Sequence, residues 1–197
     1  LVMRETEITV QWLGGFRNSS APVSGYLRDV VGVGLIGNQV DIYFDDQYVG
    51  NATTGESGMF VYDLFIDKDT TLGTHKVGIV FEGSYLYLSS NNEVSSEILA
   101  NTLFETEPIE VFRQKEFNLT AHLFDDLNNP MVGQSINLTF GGNKYELFTD
   151  EAGYAAKNIT LPSNYEIGQY VAQWSFGGHG YYLPTSHPQT VTVIAST

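Results

Sequence analysis

No cysteine occurs anywhere in the sequence. The protein therefore has no thiol nucleophile, no thiolate zinc site, no iron–sulfur cluster and no disulfide. Proteins on either side of the cell membrane can lack cysteine, so this absence assigns no compartment by itself.

Basic residues are scarce. The chain has 9 Lys plus Arg against 23 Asp plus Glu, a formal net charge of −14. A surface of this sign repels phosphate backbones and anionic lipid headgroups. We therefore expect no nucleic-acid partner, and we interpret the acidity as that of a well-solvated surface.

Long apolar runs are missing as well. No stretch of about 18 apolar residues is present, so we expect no direct membrane insertion by this segment. The residues from Leu1 to Glu5 lack the basic and apolar regions of a secretory leader. We expect a segment of a larger protein whose signal peptide and anchor lie elsewhere.

A repeat of about 95 residues is the main positive feature. Matching residues recur 96 positions apart, and later 95 apart, as if the second copy had lost one loop residue. The pairs include Phe16 with Phe112, Asp29 with Asp125, Gly37 with Gly133, Gly58 with Gly153 and Tyr87 with Tyr182. The segments Glu5-Thr6-Glu7 and Glu105-Thr106-Glu107 also look alike. The repeat predicts two domains, residues 1–100 and 101–197, joined by a short linker.

Within each copy, apolar and polar residues alternate with the period of a β-strand. Leu119, Ala121 and Leu123 alternate with polar neighbours, for example. Turn-forming residues such as Asn128-Asn129-Pro130 and Gly141-Gly142-Asn143 separate these runs. The pattern predicts an all-β fold, with one closed sandwich in each copy.

The motif Asn129-Pro130-Met131-Val132-Gly133, followed by Thr149-Asp150-Glu151-Ala152-Gly153 and Phe176-Gly177-Gly178, resembles the immunoglobulin-like repeats of invasin- and intimin-type adhesins and similar archaeal surface proteins. The resemblance covers nearly the whole chain, once per repeat. It implies two tandem immunoglobulin-like β-sandwich domains. Macroglobulin-like and carboxypeptidase-regulatory-like sandwiches share the same turn pattern, so the subfamily stays open.

These motifs have backbone roles. We expect Gly133 and Gly153 to hold turn geometry that other residues avoid, and Pro130 to fix a turn entry. Asp150 is expected to accept hydrogen bonds from nearby backbone amides.

Five Asn-x-Ser/Thr sequons are glycosylation candidates. They begin at Asn18, Asn51, Asn118, Asn137 and Asn158. The last three lie on the predicted polar, solvent-facing side of their strands, where a glycan has room. The alternative is that wet strand faces simply favour Thr and tolerate Asn.

No metal or catalytic site is predicted. The carboxylate pairs Asp45-Asp46, Asp67/Asp69, Asp125-Asp126 and Asp150-Glu151 lack the spacing of known calcium loops, and solvated turn acids are the favoured interpretation. His179 and His187 share a loop region without an apparent third ligand. The sequence has no nucleophile elbow, phosphate loop or His-Glu-x-x-His motif, so we expect neither an enzyme nor a cofactor.

Tyr85 and Tyr181 are candidates for ligand contact. They precede Tyr87 and Tyr182, which coincide under the repeat offset and are expected to pack in the core or at a corner. An exposed tyrosine at the end of a sandwich can anchor a partner.

The resemblance implies a structural or adhesive segment of an extracellular or cell-surface protein of prokaryotic type, with archaeal proteins included. The alternative is a module that recognises a glycan or a partner protein, or an accessory domain of a surface enzyme. An exposed apolar patch or aromatic shelf would favour the binding module.

Overall fold

The structure is a computed structural model that describes residues 2–195. Contacts divide the chain into two compact units, unit 1 (Leu1–Leu99) and unit 2 (Ala100–Thr197). Ala100 groups with unit 2 because its backbone hydrogen-bonds to Tyr181 and Leu183.

Unit 1 is a sandwich of a three-stranded and a five-stranded sheet. Its strands are β1 (Thr6–Gln11), β2 (Gly15–Phe16), β3 (Ser19–Asp29), β4 (Gln39–Phe44), β5 (Gln47–Thr53), β6 (Met59–Ile66), β7 (Gly73–Phe81) and β8 (Ser90–Leu99). The strand orders are β1-β3-β6 and β2-β8-β7-β4-β5. All pairings are antiparallel except that of β2 with β8, which is parallel.

Unit 2 has the same architecture. Its strands are β9 (Thr102–Glu105), β10 (Ile109–Phe112), β11 (Glu116–Asp125), β12 (Ser135–Phe140), β13 (Asn143–Phe148), β14 (Tyr154–Thr160), β15 (Gly168–Phe176) and β16 (Thr185–Ile194). The strand orders are β14-β11-β9 and β10-β16-β15-β12-β13. The prediction of two tandem immunoglobulin-like β-sandwiches is confirmed.

Each unit has its own hydrophobic core between its two sheets. In unit 2, Leu119 and Ala121 from the small sheet pack with Leu138 and Trp174 from the large one. Unit 1 builds the same layer from Val23, Leu27, Ile42 and Ile79, among others. The inward positions are those that the alternation predicted, since successive side chains of a strand point to opposite faces.

One buried turn frame recurs in both units. The Thr149 hydroxyl donates to the Met131 carbonyl (2.5 Å) and accepts from the Gln134 N–H (2.8 Å). In unit 1, Thr54 makes the corresponding bonds to Leu35 and Asn38. In unit 2 these bonds hold the loop between β11 and β12 against the turn between β13 and β14. In unit 1 they hold the loop between β3 and β4 against the turn between β5 and β6.

The turn predictions hold at the residue level. Gly133 and Gly153 have φ of 67° and 78°, in the left-handed region that favours glycine. The Asp150 carboxylate accepts the backbone N–H groups of Ala152 and Tyr154.

The predicted equivalence of Glu5-Thr6-Glu7 with Glu105-Thr106-Glu107 is wrong. Thr6 begins β1 and its hydroxyl donates to the Leu88 carbonyl, whereas Thr102 begins β9 and donates to the Leu183 carbonyl. Thr102 is therefore the counterpart of Thr6, at the offset of 96 seen elsewhere. Glu105 instead ends β9, so the likeness of the two acidic segments is coincidental.

Candidate functional site

The loop between β3 and β4 presents aliphatic side chains to solvent. Asp29 is buried, and its Oδ1 atom accepts the backbone N–H groups of Val31 (3.1 Å) and Val33 (2.9 Å). The Asp29 N–H in turn donates to the Val33 carbonyl. The backbone groups are satisfied inside the loop, while Val31 and Ile36 remain 77% and 67% exposed.

A second loop, between β7 and β8, reaches the same end of unit 1. The backbone of Arg4 bonds to Leu86 and Leu88 on this loop, and the Val30 N–H donates to the Glu5 carbonyl. The two loops therefore flank the Arg4-Glu5 segment. We call the exposed apolar side chains of the two loops the apolar end of unit 1; they are Val30, Val31, Val33, Ile36, Tyr85, Leu86 and Leu88.

The corresponding loop of unit 2 keeps the backbone and changes the surface. Asp125 is buried and accepts the N–H groups of Leu127 and Asn129, as Asp29 does in unit 1. The Asn129 side chain also donates to Asp125, at 3.1 Å. Asp126, Asn128 and Asn129 stand where unit 1 has Val30, Gly32 and Val33.

The two candidate tyrosines differ in exposure. Tyr85 is 80% exposed and Tyr181 only 37%. Tyr87 and Tyr182 are half-buried and pack against the cores of their units. A role for Tyr85 and Tyr181 in ligand contact stays a proposal.

The sequon asparagines are all accessible in part. Asn18 lies in the turn before β3, and Asn51 on β5. Asn118 and Asn158 are exposed and face each other across β11 and β14, and Asn137 is half-buried on β12. The structure thus gives each sequon a location, and their modification stays a prediction.

A groove on the small sheet of unit 2 was missed by sequence reasoning. Its volume is about 420 Å³, and one wall is the segment from Glu105 to Glu107. The opposite wall is β11 at Asn118 and Thr120. Buried Gln189 also lines the groove and donates to the Glu107 carbonyl.

An aromatic pair closes one end of this groove. The rings of His122 and Tyr154 stack with centroids 4.4 Å apart, and both residues line the cavity. His122 Nδ1 lies 3.9 Å from a Glu105 carboxylate oxygen. The closed end therefore combines an aromatic wall with a negative charge.

The carboxylate pairs have local structural partners. Asp45 and Asp46, with φ of 47° and 66°, form the two-residue turn between β4 and β5, and Gly141-Gly142 does so in unit 2. Asp45 lies 2.6 Å from His75 Nδ1 and accepts the Lys76 N–H. Burial raises the pKa of Asp45, but these hydrogen bonds outweigh it and hold the pKa below its usual value.

The described chain, residues 2–195, contains no cluster of three or more His, Asp or Glu side chains able to hold a metal ion. Over the same residues, no helix has the length and apolar character needed to cross a bilayer.

The sequence matches no protein-family model and no curated protein. Many solved structures have a similar fold, but their sequence identity to this chain is low. A fragment of the ICAM-5 ectodomain, D1–D4, aligns over 96% of this chain and 54% of its own, with 12% identity and a TM-score of 0.51. This similarity shows the immunoglobulin-like fold alone.

Bacterial adhesins are also among the similar structures. FdeC, an Escherichia coli adhesin, aligns over 96% of this chain and 64% of its own, with 16% identity and a TM-score of 0.47. Invasin, a bacterial integrin-binding protein, aligns over 96% and 40%, with 17% identity and a TM-score of 0.41. The chain is similar in fold to immunoglobulin-like domains, as its motifs indicated.

Proposed function

We propose that this chain is a non-enzymatic, load-bearing and adhesive segment of a larger extracellular or cell-surface protein of prokaryotic type. The observation that carries the proposal is the parallel pairing of the second strand of each unit with its last strand. In unit 2, β10 runs parallel to the last strand, β16, in register from Ile109 with Val191 to Phe112 with Ile194.

Parallel pairing decides how tension acts. The entry to β10 and the exit from β16 lie at opposite ends of the pair. Tension that reaches β10 through the preceding strand, β9, therefore slides β10 along β16. The ladder hydrogen bonds are then loaded together and must break together. A module with this geometry resists force well for its size.

Unit 1 has the same arrangement in shorter form. Its parallel pair, β2 with β8, contains two residue pairs, Gly15 with Ile98 and Phe16 with Leu99, against four in unit 2. We therefore expect unit 2 to unfold at the higher force.

Single-molecule force spectroscopy on the full chain tests this proposal. We expect two discrete unfolding events, each releasing about 30 nm of chain, with the unit 2 event at higher force. A six-residue glycine–serine insertion between Gly141 and Gly142 lengthens only the unit 2 event, by about 2 nm, and so identifies it. Gradual extension without discrete events, or a weaker unit 2, would refute the load-bearing role.

The apolar end of unit 1 supports the adhesive part of the proposal, with a protein rather than a glycan as partner. Its aliphatic side chains gain by burial against apolar protein surface but offer nothing to sugar hydroxyls. Unit 2 has Asp126 and Asn129 where unit 1 has Val30 and Val33, so the fold does not require valine at these two positions. Val31 and Ile36 correspond to Leu127 and Val132, which are also aliphatic.

The double variant Val31→Ser/Val33→Asn tests this second part. Labelled wild-type chain should be retained on the outer surface of cells of the native source, and the variant should be retained at least several-fold less. Equal retention of a variant with unchanged melting temperature would remove the apolar end as the adhesive surface.

A further inference from the structure

The first strand of unit 2 leaves the sheet early, and its early departure exposes part of a strand edge. β9 pairs with β11 only from Asp125 back to His122. In unit 1, β1 continues two residues further along β3, to the pair of Gln11 with Ser24. Ser24 corresponds to Thr120 under the repeat offset.

The exposed edge carries main-chain hydrogen-bonding groups. In an antiparallel strand, successive residues direct their N–H and C=O groups to opposite sides. The Leu123 N–H donates to Gly153, on the β14 side, so the groups of Asn118 and Thr120 point to the other side. That side is the groove, which both residues line. Two residues with one N–H and one C=O each offer up to four hydrogen bonds.

In unit 1 the corresponding edge, on β3, is protected in two ways. β1 covers the edge at Ser24. Pro22, which has no N–H, stands where unit 2 has Asn118. Proline and covering strands are the usual means by which proteins protect sheet edges. The open edge is therefore a property of unit 2, not of the fold.

Charge indicates which kind of strand the groove accepts. Glu105 and Glu107 line it, and among the described residues of its wall there is neither lysine nor arginine. The stacked ring of Tyr154 adds a surface that attracts cations. Basic side chains of an added strand would therefore be attracted to this lining.

We propose that this groove binds an extended, lysine- or arginine-bearing segment of a partner protein, which adds as a strand to the free edge of β11. Main-chain bonds to Asn118 and Thr120 supply affinity, and Glu105 and Glu107 select basic side chains. The site is separate from the apolar end of unit 1, and the proposal does not depend on the load-bearing role.

The test uses the full chain and a fluorescent peptide of alternating lysine and valine, with a glutamate–valine peptide as charge control. We expect the lysine peptide alone to bind. The variant Asn118→Pro removes one groove-facing N–H and should weaken binding about tenfold or more. Asn118→Ala keeps the backbone and should bind like wild type.

Asn118→Pro is expected to fold, because β3 carries Pro22 at the equivalent place and still pairs with β6 there. Amide hydrogen exchange gives a second readout on the unmodified chain. The peptide should slow exchange at Asn118 and Thr120 and leave Leu119, whose N–H faces β14, unchanged. Equal binding of both peptides, or no added protection at Asn118 and Thr120, would overturn the proposal.

Discussion

Replacing Thr149 with valine should destabilise unit 2 strongly although the two side chains have nearly the same shape. Thr149 is 5% exposed. Its hydroxyl donates to the Met131 carbonyl and accepts from the Gln134 N–H, at 2.5 and 2.8 Å. Valine leaves both backbone groups buried without a partner, at a cost of about 1–3 kcal/mol each.

Allowing for partial rearrangement, we expect Thr149→Val to lower the free energy of unfolding by about 2–4 kcal/mol. For a domain of this size the melting temperature should fall by roughly 10–20 °C. Calorimetry on the full chain should show the loss in one transition only. Thr54→Val is the matched variant in unit 1 and should lower the other.

Thr149→Ser is the control, since it retains the hydroxyl and should cost less than about 1 kcal/mol. The reasoning fails if Thr149→Val costs no more than Thr149→Ser. A single transition that both valine variants lower equally would show instead that the two units do not unfold independently, contrary to the proposed division into two domains.

Three further predictions concern single positions. Because folding lowers the pKa of Asp45, the ionised carboxylate stabilises the protein above its usual pKa of 3.8, and this effect is lost as pH falls through the lower pKa of the folded state. The difference in free energy of unfolding between wild type and Asp45→Asn should stay below about 1 kcal/mol, because the carboxylate is partly exposed. Urea titrations should show this difference vanish between about pH 5 and pH 2. Gly153→Ala places a Cβ 2.7 Å from the Leu123 carbonyl oxygen, whereas Gly133 has a similar φ and open space, so Gly153→Ala should lose at least about 1 kcal/mol more than Gly133→Ala. Asn118 and Asn158 are cross-strand partners, so glycans on both would crowd each other; intact-mass measurement on protein from the native source should show at most one of them occupied, and a doubly occupied species would contradict this.

The fold could be predicted from the sequence because it depends on local patterns repeated twice. Alternation places Leu119 and Ala121 inward whatever the neighbouring strands are. Glycine at Gly133 and Gly153 signals left-handed backbone without reference to the rest of the chain. The nearly constant offset between the two copies, 96 and then 95 residues, indicates which matches are significant. The acidic entry segments matched at a different offset, and that difference was the signal that their likeness was coincidental.

The groove could not be predicted in the same way. It exists because β9 ends at Glu105 while β11 continues, and the length of a pairing depends on both strands and on the sheet to which the chain crosses next. One local signal was available, the contrast between Pro22 and Asn118 at equivalent positions. Contacts such as that of Asp45 with His75, 30 residues apart, likewise require the register of the sheet.

The two units show which parts of the duplicated sequence the fold constrains. Asp29 and Asp125 accept the same pair of backbone N–H groups, so both copies must keep an acid there to satisfy a buried turn. The other side chains of this turn are under no such constraint: Val30 and Val33 of unit 1 correspond to Asp126 and Asn129 of unit 2, whereas Val31 and its counterpart are both aliphatic. The open strand edge shows the reverse difference, since it is covered in unit 1 and free in unit 2. Exposed valines and an unpaired strand edge each carry a risk of aggregation. Their presence at different places in the two copies is what the proposed adhesive surface of unit 1 and the proposed strand-binding groove of unit 2 would each require.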